Sequence, residues 1–134
     1  MISKLDDVFQ FHQQALELRN YRQQLLASNI ANADTPGYKA RDIDFNSALQ
    51  SALTNSSQSG GLIKTSTQHL GTNAAQPVPE QQVLYRTPSQ PSVDGNTVEM
   101  DTERSQFADN SVRLEASLTF LNGQIKTLLA ALQG

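Results

Sequence analysis

At 134 residues the chain has room for one domain and not comfortably for two. Its 32 Leu, Ile, Val and Phe stand only just above the ~20% level below which chains tend to disorder. With no Trp and 6% aromatics, a large core or a deep apolar pocket is not expected. Thirteen acidic against ten basic residues, with no charged tail, argue against a basic nucleic-acid surface. The absence of cysteine removes disulfides, thiolate metal sites and Cys nucleophiles.

The first element is a long helix within a segment 1–35. Leu5, Val8, Phe11, Ala15, Leu18, Tyr21 and Leu25 recur at spacings of three and four, and Phe9, Leu16, Leu26 and Ile30 widen the stripe. No Pro or Gly interrupts it until Asp34-Thr35-Pro36-Gly37, where Pro ends the helix and Pro-Gly turns the chain. No secretory signal peptide is expected, because Lys4 is followed by Asp6 and Asp7 where an apolar run should begin.

A middle segment, 36–95, reads as extended and flexible, with irregular and β character. Residues 38–49 alternate weakly, with Ile43 and Phe45 on the apolar side, and Asp44 is placed to cap a short helix through Phe45, Ala48, Leu49 and Ala52. Residues 50–82 contain 22 Gln, Ser, Thr, Asn, Gly or Pro in 33 positions, too few apolar groups to offset ordering entropy. Val83, Leu84 and Tyr85 are the anchors that follow. Asp94-Gly95 is a turn.

The last segment, 96–134, opens with Asn96 as a helix cap and Glu99 three residues on, a capping-box-like pair. Met100, Arg104, Phe107, Ser111, Leu114, Leu118, Leu121, Ile125, Leu128 and Leu132 then alternate in steps of four and three, a coiled-coil seam of nearly five heptads. Gly123 lies inside this helix and off the seam, at a cost of about 1 kcal/mol relative to Ala. The expected fold is mainly α: two long terminal helices in a coiled-coil-like pair around an irregular, partly β middle. A two-helix hairpin covers only part of each stripe, so other subunits are the natural source of further helices.

Catalytic and metal sites find little support. His12 reads as an edge residue beside Gln13 and Gln14, and His69 falls in the polar insert; neither has a carboxylate at ligand spacing. Asp42 and Asp44 read as a solvated face neutralised by Lys39 and Arg41. The acids after Asp94 fail the calcium-loop pattern, since Gly95 stands second rather than sixth. The longest apolar run, Leu128–Leu132, is far too short to span a membrane, and the mixed charges of the first helix do not suit a lipid surface. No enzyme, cofactor, nucleic-acid or membrane-insertion role is expected.

One stretch is specific. Leu25-Leu26-Ala27-Ser28-Asn29-Ile30-Ala31-Asn32-Ala33-Asp34-Thr35-Pro36-Gly37-Tyr38-Lys39 closely resembles the signature that ends the first helix of the bacterial flagellar axial proteins of rod and hook. Ala40 to Phe45, Tyr85 to Asp101 and Glu103 to Ser111 resemble the proximal rod subunits of that family in particular, and the resemblance covers residues 1–50 and 83–134.

The resemblance implies a non-enzymatic structural subunit of the basal-body rod, exported without a cleaved signal and passing torque from the motor ring to the hook. Its implied partners are itself, other rod proteins, the ring–rod adaptor, the membrane ring and the flagellar type III export apparatus. Asn29, Asn32, Thr35, Pro36, Gly37 and Tyr38 would set the helix exit, with the Tyr38 hydroxyl exposed. Phe107, Leu114, Leu118, Leu121, Ile125, Leu128 and Leu132 would form the assembly seam. Phe45 and Leu49 match a short Phe-x-x-x-apolar export element, for which plain packing is the rival reading. Another small rod subunit, or a soluble coiled-coil adaptor or export chaperone, is the alternative; a stable helical dimer in dilute solution would mark the adaptor.

Overall fold

The computed structural model describes residues 2–57 and 83–133. Two long helices, α1 (Ile2–Ala31) and α3 (Met100–Gln133), run antiparallel, about 45 and 51 Å long at 1.5 Å per residue. Their direction follows from the contacts between them: Asn29 meets Glu103, Arg19 meets Asn110, and His12 meets Phe120. Between them in sequence lie β1 (Arg41–Ile43), α2 (Phe45–Ser57) and β2 (Val83–Tyr85). The strands pair antiparallel, with Arg41 opposite Tyr85 and Ile43 opposite Val83.

The mainly helical fold with long terminal helices is as the sequence implies; of the expected anchors, which form strand β2, Val83 packs against the core while Leu84 and Tyr85 are exposed. One boundary differs. Residues 50–57 are helical rather than irregular, because α2 continues to Ser57. Its start is secured by Asp44, which accepts from the Asn46 amide at 3.1 Å and the Ser47 hydroxyl at 2.8 Å. The polar insert from 58 to 82, with His69, lies outside the described residues.

The core is small and sits at one end of the helix pair. Leu18 and Leu25 of α1, Ile43 of β1 and Ala48 of α2 are buried together, edged by Tyr21, Phe45, Leu49 and Val83. The Arg19 guanidinium lies over the Phe45 ring, 4.3 Å from its centroid, closing the core from the α1 side. Helix α3 adds no fully buried apolar side chain; its buried residues are Glu103 and Asn110. The pair is thus clasped at one end by polar bonds. At the other end Val8, Phe11, Phe120, Ile125, Leu129 and Leu132 remain exposed.

Candidate assembly interface

The helix exit is built from the signature residues themselves. Asn29 is fully buried near the end of α1; its amide donates to the Arg41 carbonyl at 2.7 Å and its side-chain oxygen accepts from the Arg41 amide at 3.0 Å. That two-way bond pins the returning strand against the helix. Asn32 donates to the Ser28 carbonyl at 2.8 Å and accepts from the Thr35 hydroxyl at 3.1 Å. Gly37 takes φ of 72°, a left-handed conformation, and faces Gly95, which has φ of 73°. A Cβ built at Gly95 would lie 3.9 Å from the Gly37 Cα, so the two turns pack back to back. The Gly37 amide donates to the Asp94 carbonyl at 3.0 Å and the Thr97 amide to the Tyr38 carbonyl at 3.0 Å.

Two expectations are corrected at this turn. The Tyr38 hydroxyl is not free: it bonds the Ser28 hydroxyl at 3.1 Å and donates to Asn29 at 3.4 Å, because the chain folds back along α1. Asn96 does not cap α3. Its amide turns to the end of α1 and donates to the carbonyls of Asn32, Ala33 and Thr35 at 3.1, 2.8 and 2.9 Å. These carbonyls belong to the turn that follows α1, where Asn32 and Thr35 also accept from the amides of Thr35 and Tyr38, so the buried Asn96 side chain ties that turn to the segment that leads into α3. The start of α3 falls to Glu99 instead, whose carbonyl accepts from the Glu103 amide at 2.9 Å. Its carboxylate, held below the ordinary glutamate pKa by Ser89, accepts from the Ser89 amide and hydroxyl at 2.5 and 2.6 Å.

Beneath the exit lies an ion network that joins α1, the strands and α3. Arg22 pairs with Asp42 through two bonds of 2.8 and 2.9 Å. Arg86 bonds Asp42 at 2.5 Å and the fully buried Glu103 at 2.6 Å. Glu103 accepts a second bond from Asn29 at 3.1 Å, and Gln106 accepts from both arginines at 2.6 and 2.9 Å. Burial pushes the Asp42 carboxyl up, but the hydrogen bonds from Arg22 and Arg86 outweigh it and hold the pKa below the ordinary aspartate value. The bond to Asp42 likewise raises the Arg22 pKa.

So Asp42 and Asp44 do not share a solvated face. Asp42 points inward from a three-residue strand onto arginines 20 and 44 positions away, and Asp44 lies past the strand as the α2 cap. Lys39 is engaged elsewhere, donating to the Gly95 carbonyl at 2.7 Å. Sequence reading missed this network because its members are far apart in the chain. Buried charges pair across elements, and only the fold brings them together.

Farther along the helix pair, Asn110 donates to the Arg19 carbonyl at 2.9 Å and to Gln23 at 2.6 Å. His12 is half-buried between the Phe11 and Phe120 rings, at centroid distances of 5.3 and 5.0 Å. The face of α3 turned to α1 carries Glu103, Phe107, Asn110, Leu114, Ser117, Leu121, Gln124 and Leu128, polar and apolar in alternation. Phe107, Leu114, Leu121 and Leu128 are therefore half-covered by α1. Leu118, Ile125 and Leu132 stand outside, at 46, 40 and 84% exposure. Phe45 and Leu49, the export candidates, edge the core.

Comparison with known proteins places this geometry. The model of the flagella basal body rod protein family matches residues 9–39, most of α1 and its exit turn. The flagellar basal body rod protein FlgB of Yersinia enterocolitica is 51% identical over 136 residues, covering 99% of this chain and 98% of that protein. That of Escherichia coli (strain K12) is 52% identical, with the same coverage. That of Salmonella typhimurium is 50% identical over 137 residues, covering 100% of this chain and 99% of its own.

Proposed function

The chain belongs to the FlgB family of flagellar basal body rod proteins, and from that premise we propose that it assembles through the apolar stripe its own fold leaves uncovered. It is a structural subunit of the rod and belongs to the basal body. No described helix is long and apolar enough to cross a membrane. The finer role is a proximal rod subunit without catalytic activity, packed against its own copies and other rod components and carrying torque toward the hook. The observation that carries the assembly reading is the exposure of Leu118, Ile125, Leu129 and Leu132 on one flank of α3. A lone chain gains nothing by leaving such a stripe in water, whereas helices of neighbouring subunits would bury it.

The exit geometry supports the same reading. A turn fixed by Asn29, Asn32, Thr35, Pro36, Gly37 and Tyr38 sets the angle at which the middle segment leaves the helix pair. A repeating assembly needs that angle identical in every copy. For Phe45 and Leu49, packing accounts for their place in the folded chain. A part in export belongs to the chain before α2 forms; replacing Phe45 with Ala should then cut secretion of the subunit, read by immunoblot of the culture medium in a strain that exports hook subunits normally.

The rod role is tested in cells lacking this gene. Basal bodies should show membrane rings without a rod, and the intact chain supplied in trans should restore rods and swimming. Complete hook–basal bodies in the absence of the gene would contradict it.

A further inference from the structure

The open end of the helix pair has two different flanks. On one, a groove of about 520 Å³ runs between Val8 and Phe9 of α1 and Phe120, Gly123 and Leu128 of α3. Phe120 joins it to a second hollow of about 280 Å³ edged by His12, Arg19, Arg113 and Ser117. Together they make one furrow from Arg113 to Leu128, about 22 Å along α3, cationic at one end and apolar at the other. Arg19 has no ion pair among the described residues, and Arg113 is tied only to exposed Asp109. On the other flank, Glu115, Leu118, Asn122, Ile125, Leu129 and Leu132 follow in steps of three and four, all exposed. This ridge is acidic at its first position and apolar toward its end.

Groove and ridge share the same order of charge and apolar character, with opposite sign, and lie roughly 160° apart around α3 at 3.6 residues per turn. We propose that the groove of one subunit receives the α3 ridge of a second copy, laid parallel. Glu115 meets Arg19 and Arg113, and the Leu118–Leu132 ridge lies over Phe120, Gly123 and Leu128. The proposal rests on the rod reading and names how neighbouring subunits meet. The contact is heterologous: each copy offers a ridge to one neighbour and a groove to the next, which generates a ring or an open helical array rather than a closed dimer. It also gives Gly123 a purpose. A Cβ there meets nothing within 4 Å, so the glycine is not required by the subunit's own packing. Aligning Glu115 with Arg113 sets the neighbour's Ile125 beside Gly123, where the missing side chain leaves room for it.

The test uses the full chain, which has no native cysteine. Chains carrying Gly123→Cys and chains carrying Ile125→Cys, mixed under assembly conditions and oxidised, should form the mixed disulfide in preference to either homodimer. Such a bond requires Cα atoms within about 7 Å. Gly123→Leu, which favours the helix and fills the groove, should lower assembly about tenfold or more while leaving the monomer's circular dichroism unchanged. Dominance of the Ile125→Cys homodimer would overturn the proposal in favour of a symmetric contact, as would rods of normal yield from Gly123→Leu chains. Failure of the unaltered chain to restore rods in the deletion strain would instead overturn the rod reading beneath it.

Discussion

Asp42 illustrates how much one side chain carries. It accepts three bonds from two arginines, and its carboxyl titrates below the ordinary aspartate value because those bonds outweigh burial. A lowered folded-state pKa stabilises the native chain at every pH above the unfolded value of ~3.9, and the contribution disappears as pH falls through the lower folded value. Replacing Asp42 with Asn leaves Arg22 and Arg86 without their shared carboxylate and should cost on the order of 2–3 kcal/mol at neutral pH. Urea unfolding of both proteins, followed by circular dichroism, should show the gap at pH 7 and a markedly smaller one near pH 2.5. An equal gap at both would show that the Asp42 charge contributes nothing. None of this was legible from the sequence: the residues nearest Asp42 in the chain, Lys39 and Arg41, suggested a solvated face, whereas its partners lie 20 and 44 positions away. Asn29 was legible as a polar residue at a helix end, but its bonds to the Arg41 backbone and to Glu103 depend on the fold.

At the scale of elements, periodicity located both long helices, the turn at Pro36-Gly37 and the cap at Asp44, because each rests on local chemistry. The face that α3 turns to α1 was not legible. The seam from Met100 to Leu132 was read as one assembly face, whereas its Phe107, Leu114, Leu121 and Leu128 lie half-buried on the side turned to α1. The clasp places buried Glu103 and Asn110 toward α1, and that choice rotates Leu118, Ile125 and Leu132 outward. The start of α3 was misjudged for a related reason. Asn96 has the chemistry of a cap, yet its side chain binds the turn that follows the other helix. Replacing Asn96 with Ala strips one donor from three carbonyls and should destabilise the chain by about 1–3 kcal/mol. Hydrogen exchange in the signature turn should quicken, while α2 is little affected; unchanged exchange there would contradict the closure. Gly37→Ala should cost about 1 kcal/mol through its left-handed backbone, read as a lowered urea midpoint with an unchanged slope.

Across the whole molecule, stability is concentrated at the clasped end. The apolar cluster of Leu18, Leu25, Ile43 and Ala48 and the network around Glu103 both lie there. At the open end, helix meets helix around His12 and Phe120 with both apolar flanks exposed. A chain built this way is stable locally rather than uniformly. In dilute solution, amides of α3 beyond Leu114 should exchange much faster than those between Glu103 and Asn110, and the difference should vanish in assembled rods. Equal protection along α3 of the free chain would show that the open end needs no neighbour. The most direct test of the central claim is the imaging of basal bodies built with the Leu118→Asp, Ile125→Asp chain in the deletion strain. Both substitutions lie on the exposed ridge and leave the clasp untouched, so the account predicts a secreted, helical subunit and rings that lack a rod. Complete rods from that chain would show that the uncovered stripe plays no part in assembly.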